Sequence, residues 1–147
     1  MSKKWVVWIV FMGILLILSL QDYKKKEVSL FVIGAGVLLG IFLRGVSIEL
    51  LLKICPGILL FVFSILSEEK MGLGDSLVIG MGAFFLSLES LLIWIFLAFL
   101  LAGIIGIILM MFFHKNKKEQ IPFVPFLWVS AIFTCLLQYM ENYENYM

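Results

Sequence analysis

Apolar runs separated by short polar breaks make up most of the chain, at about Trp5–Leu20, Val28–Leu43, Ile48–Leu66, Leu77–Leu88, Leu91–Phe113 and Pro122–Tyr139. Within each run the apolar character is continuous. A barrel strand would instead alternate with a period of two. A helix rises about 1.5 Å per residue, so roughly 20 apolar residues cross the hydrocarbon core of a bilayer. The pattern predicts an all-α, polytopic membrane protein with about six transmembrane helices. Several runs are short and the fourth is shortest. Burial within the bundle, flanking anchors or local bilayer thinning would have to accommodate it.

Composition sharpens this picture. Of 147 residues, 63% are hydrophobic and 14% charged, with a mean hydropathy of +1.15. A soluble domain of this size carries about a quarter charged residues, and disorder requires the opposite composition. The net charge of +1 gives no electrostatic footprint for nucleic acid. Six spans use roughly 120 residues, so residues 1–147 read as a single transmembrane domain with chemistry confined to helix ends or the bundle interior. Cys55 and Cys135 fall in apolar runs without a CxxC pair, and read as small buried thiols. No metal site or cofactor is expected.

Lys3 and Lys4 precede the first run as in a signal peptide. Leu18-Ser19-Leu20-Gln21 lacks a small-x-small cleavage pattern, so this run reads as a retained helix. The odd-numbered loops hold Lys24, Lys25, Lys26, Lys70, Lys115, Lys117 and Lys118; the other side holds Lys3, Lys4, Arg44 and Lys53. The positive-inside rule puts the odd loops in the cytoplasm. Lys53, about a turn inside its span, is expected to snorkel outward. His114, among loop lysines, reads as an interfacial residue. Pro56 is expected to kink the third helix. Gly36 with Gly40, and Ala102 with Gly106, are small-xxx-small pairs that let helices approach closely.

Two carboxylates remain near membrane depth. Asp22 directly follows the first span, and Asp75 closes Gly72-Leu73-Gly74-Asp75 just before the fourth. Both fall at the cytoplasmic boundary, where an ionisable side chain is a functional candidate by default. Taken singly, each has an ordinary reading: an interfacial acid, or a helix N-cap after a glycine-rich turn. Taken together they suit hydrolysis. One carboxylate takes a proton from water while the other, protonated, polarises a carbonyl, and like charges close together share one proton. Gly72 and Gly74 lack a Cβ, so the backbone there can take unusual conformations and an extended substrate can approach Asp75. Glu68 and Glu69 read as solvated loop charges, with a possible role in attracting a basic substrate segment.

Three segments resemble the type IV prepilin peptidases, membrane aspartyl proteases of the GxGD type. Asp22-Tyr-Lys24-Lys25-Lys26-Glu-Val28-Ser29 is similar to the family's first-aspartate segment. Gly72-Leu73-Gly74-Asp75 matches its second-aspartate motif. Ile121-Pro122-Phe123-Val124-Pro125-Phe126 is similar to the segment that opens the family's final helix. The chain departs from the pattern at Val28-Ser29, where Ile-Pro is usual, at Val124, where the family has glycine, and at Leu77, where many relatives have lysine. The resemblance implies a minimal aspartic endopeptidase in a bacterial plasma membrane, with Asp22 and Asp75 catalytic. Its substrates would be prepilin or pseudopilin proteins with a short basic leader, in type IV pilus or secretion systems. The cysteine-rich insertion of larger relatives is absent, so N-methylation of the product is not expected. The alternative is a small proton-coupled carrier, or a non-catalytic assembly partner of a pilus or secretion system; a carrier would place its polar groups near the bilayer midplane.

Overall fold

The computed structural model describes residues 3–25, 28–67, 73–112 and 123–147. They form the helices α1 (Lys3–Lys25), α2 (Leu30–Arg44), α3 (Glu49–Leu66), α4 (Leu73–Gly82), α5 (Leu88–Phe112) and α6 (Val124–Tyr146). No strand occurs among the described residues. Helices α1, α3, α5 and α6 are long and apolar enough to cross a membrane. Phe31, Phe42, Phe63, Phe96 and Phe112 are exposed on the outside of the bundle. Rings in that position contact lipid, which is why apolar residues here do not sort to one helix face. The protein is a polytopic helical membrane protein.

Helix α1 is central. Val7, Phe11, Leu15 and Leu18 are buried and recur at spacings of three and four, which places them on one face. That face meets α6 running antiparallel: Trp8 Nε1–H donates to Gln138 Oε1 at 3.1 Å, and Val124 of α6 lies beside Asp22 near the other end. The two levels are 14 residues apart on both helices, or about 21 Å. Gln138 also donates to Ser90 Oγ, and the fully buried Trp94 of α5 donates its Nε1–H to the Leu127 carbonyl at 2.8 Å. Polar side chains inside hydrocarbon thus find partners on neighbouring helices.

The fourth apolar run, expected over Leu77–Leu88, is displaced. Helix α4 starts earlier and ends at Gly82, where the Trp94 ring occupies the space a Cβ would need. A turn through Ala83, Phe84 and Phe85 follows. Its amides bond the carbonyls of Gly80, Met81 and Gly82 at 3.0–3.2 Å. This local closure lets Ala83, Phe85 and Leu86 be buried with their amides paired. Ser87 then opens α5, its Oγ accepting from the Ser90 amide at 3.4 Å. Periodicity cannot distinguish such a buried turn from helix, because every residue in it is apolar.

At 10 residues, α4 is about 15 Å long, half a hydrocarbon core. Burial in the bundle accommodates it, as expected for the shortest run. A Cβ on Gly40 of α2 would lie 2.7 Å from Phe84 Cβ, and Gly36 faces Met81. A Cβ on Gly57 of α3 would lie 2.9 Å from the Gly80 Cα. Gly36 and Gly40 therefore do admit a neighbouring segment. Ala102 and Gly106 do not behave as expected: nothing approaches within 4 Å of where a Gly106 Cβ would stand, because that part of α5 is turned outward. Helix α2 ends at Gly45, whose φ of +75° suits glycine and whose N–H bonds the Ile41 carbonyl at 2.7 Å.

Two further expectations change. Cys55 is exposed and Cys135 half-buried, so they are not buried thiols. Helix α3 turns Lys53, Gly57 and Ser64 inward, which leaves Cys55 on its outer face. Lys53 does not snorkel freely outward; it is only 9% exposed and lines a cavity. Pro56 stands inside α3, which is a single helix from Glu49 to Leu66. Lys26, Lys70, His114, Lys115, Lys117 and Lys118 lie outside the described residues.

Candidate active site

Asp22 belongs to α1 itself and not to the segment after it. It continues the buried series Phe11, Leu15 and Leu18 by one more step of four, and is 6% exposed. Helical phase thus turns a carboxylate into the bundle. Its partner comes from the far end of the chain: the Val124 N–H donates to Asp22 Oδ2 at 3.1 Å. Helix α6 starts at Val124 with no side-chain cap of its own, and a proline occupies its first turn. The first amides of a helix lack internal acceptors, and the N-terminal end favours a negative charge. Asp22 supplies both the acceptor and the charge from another helix.

Asp75 lies in the first turn of α4, ahead of the apolar run and outside the helices long enough to cross the membrane. Burial pushes its carboxyl up to about 7, with the charge of nearby Asp22 acting in the same direction. The residue as a whole is half-buried. An ordinary helix-capping aspartate would shift the other way, since amide donors and the helix dipole favour the ionised form. Asp75 is therefore not simply a cap.

Val28 and Ser29 connect the neighbours of the two aspartates. Gln21 Oε1 accepts the Ser29 N–H at 3.3 Å, which holds Ser29 near the end of α1. Val28 then lies over Gly74, where a Cβ would stand 3.2 Å from Val28 Cγ2. Gly74 is expected from sequence to take an unusual backbone conformation and admit substrate. Instead it is helical, and what it makes room for is Val28. Gly72, Glu68 and Glu69 lie outside the described residues. Leu77 is partly buried against the core, so the position where many family members carry lysine presents an apolar side chain here.

Asp22 and Asp75 thus share one end of the bundle, close enough for one charge to bear on the other. No third histidine, cysteine or carboxylate joins them among the described residues. The Val124 N–H gives Asp22 a donor that suits a carboxylate, and burial keeps the proton on Asp75 to near neutrality. A pair in this state can accept a proton from water at one oxygen and donate one from another. Three contributors are hard to foresee from sequence: the Val124 amide, Gln21 and Val28. One signal for the first exists, since Gln120-Ile121-Pro122-Phe123 offers α6 no Ser, Thr, Asp or Asn as a local cap.

The model of the type IV leader peptidase family matches residues 9–107, two thirds of the chain, including both aspartates. No curated protein and no solved structure matches. The match stops short of Val124, so it is the hydrogen bond to Asp22 that ties the start of α6 to this site.

Proposed function

The chain belongs to the type IV leader peptidase family, and on that premise we propose that it is an aspartic endopeptidase in which Asp22 and Asp75 activate water. The observation that carries this reading is the placement of two acids, 53 residues apart in sequence, at one end of the bundle, Asp22 on the buried face of α1 and Asp75 in the first turn of α4. Asp22, held by the Val124 amide, is the base that takes a proton from the attacking water. Asp75, still protonated, donates to the carbonyl oxygen of the scissile bond as the tetrahedral centre forms. As that centre collapses, Asp22 gives its proton to the leaving amine and Asp75 takes one back from the gem-diol hydroxyl, so the pair again holds one proton between two carboxyl groups.

The substrate we propose is a prepilin-like or pseudopilin-like protein with a short basic leader followed by an apolar helix. The apolar helix partitions into the bilayer beside the bundle, and this remote binding energy positions the scissile bond at the aspartates. Glu68 and Glu69, in the connection before α4, attract the basic leader. The lysine distribution supports a cytoplasmic site in a bacterial plasma membrane. No cofactor enters this scheme.

Co-expression with candidate prepilins from the same cell is the direct test. The expected result is leader removal, read as a mobility shift and by the new N-terminus. Intact leaders on every candidate would reject the peptidase reading. The pH profile adds a test of roles. Protonated Asp75 is the working form, so cleavage should fall as pH rises through about 7. Two units above that value about 1% of the acid remains protonated, and the rate should be down on the order of 100-fold. Purified protein assayed from pH 5 to 9 on a leader-bearing peptide would show it. A rate still climbing at pH 9 would remove Asp75 from the acid's role.

A further inference from the structure

The end of the bundle opposite the aspartates holds a cavity of about 380 Å³, lined by Lys3, Lys4, Arg44, Glu49, Lys53 and Ser87 among others. Antiparallel packing creates it: α1 and α3 begin where α2 ends, so cations remote in sequence converge on one space. Four basic side chains face a single carboxylate in this lining, which is left net positive.

Helix electrostatics account for Arg44, in the last turn of α2, but not for the three lysines. Lys3 and Lys4 occupy the first turn of α1, which has no acidic residue, and Lys53 lies in the second turn of α3. Helix N-termini favour negative charge. Lys53 carries the argument furthest. It is 9% exposed, and it sits four residues into α3, about 6 Å along the axis. Among the described residues no fully enclosed side-chain nitrogen or oxygen lacks a hydrogen-bond partner. The Lys53 ammonium has no such partner there, and therefore opens to the cavity it lines. A cation held at the edge of hydrocarbon calls for a counter-charge.

We propose that this cavity binds a phosphate group, with Lys53 and Arg44 as its principal contacts and Lys3 and Lys4 closing over it. Several converging donors, including a planar guanidinium, suit an anion with several oxygens better than a single carboxylate. The volume exceeds what one ion needs, and Leu43 and Leu50 add an apolar wall. Those two facts fit a phospholipid headgroup with the start of its chains, while free phosphate shares the same recognition chemistry. Basic pockets between membrane helices at the cytoplasmic face bind headgroups in this way, and the lysine distribution puts this one at the opposite face. This inference is independent of the peptidase reading, since the cavity lies across the bundle from both aspartates.

The test is titration of the purified full chain in neutral detergent, followed by native mass spectrometry and thermal unfolding. The probes are phosphatidylglycerol, phosphatidylcholine and inorganic phosphate. Phosphatidylglycerol should bind saturably, at least about 10-fold more tightly than phosphatidylcholine, and more weakly as salt rises. Lys53→Met, which keeps the apolar stem, and Arg44→Gln should each weaken binding about 10-fold. Lys53→Arg should retain it, and leader cleavage should be unchanged in all three. Competition by inorganic phosphate at the same variant-sensitive site identifies the ligand as the free anion; its failure to compete identifies the lipid. Arg44 is exposed at a helix end, so Arg44→Gln carries the test even where a Lys53 variant misfolds. Equal binding of the two lipids without any phosphate binding, or unweakened phosphatidylglycerol binding by Arg44→Gln, overturns the proposal.

Discussion

Asp75→Asn is expected to lower leader cleavage by about 10²–10⁴-fold, the range lost with a positioned acid or base, while making the protein more stable at pH 8. Asparagine keeps the shape of aspartate but can neither carry nor deliver the shared proton. The stability gain follows from linkage. The Asp75 carboxyl titrates at about 7 in the fold against a reference of 3.8, so its ionisation opposes folding increasingly as pH rises between those values and fully above about 7. Asparagine has no such ionisation. Asp22→Asn should lose a comparable factor, because its amide oxygen can still accept the Val124 N–H but takes no proton. Since two groups acting as one unit fail together, the double variant should be scarcely slower than either single one. Cleavage assays paired with thermal unfolding at pH 8 measure all of this. Either single variant cutting at the parental rate would refute the dyad.

Gly57→Ala is expected to be a strongly damaging single-methyl change away from the aspartates. The added Cβ would lie 2.9 Å from the Gly80 Cα, 3.0 Å from its nitrogen and 3.3 Å from the Ser76 carbonyl oxygen. All three are backbone atoms of α4, so no side chain can swing aside, and α3 and α4 must separate. Overpacking typically costs about 1–3 kcal/mol. Activity should fall as well, because α4 carries Asp75 in its first turn, and a displacement of about 1 Å at a catalytic group costs on the order of 100-fold. Gly103→Ala is the control. Nothing lies within 4 Å of that site, and an alanine there should stabilise the helix by up to about 1 kcal/mol. Unfolding midpoints of the two variants in detergent, beside their cleavage rates, decide the matter; equal midpoints would show that the α3–α4 contact yields easily.

Val124 and Gln21 show where reading the chain linearly stops. Ile121-Pro122-Phe123-Val124-Pro125-Phe126 resembles a family segment, yet nothing in its own residues says that its amide serves Asp22. That assignment needs the antiparallel placement of α6 on α1. Asp22 is more legible: its step of four beyond Leu18 already places it on the buried face once α1 extends to Lys25. Gly74 reads in sequence as room for a substrate strand, and in the fold the group packed there is Val28, which lies in a different segment.

The alternation of apolar runs and polar breaks determined the class, since burying so much hydrocarbon without charges leaves the bilayer as the environment. It also brought out Asp22 and Asp75, because carboxylates at membrane depth are costly and few. The tertiary structure alone decided that α4 stops at Gly82, that Lys53 turns inward, and that the two acids feel one another. Each of these depends on contacts between helices far apart in the chain, and a local pattern of hydrophobicity carries no record of which distant backbone will press against it.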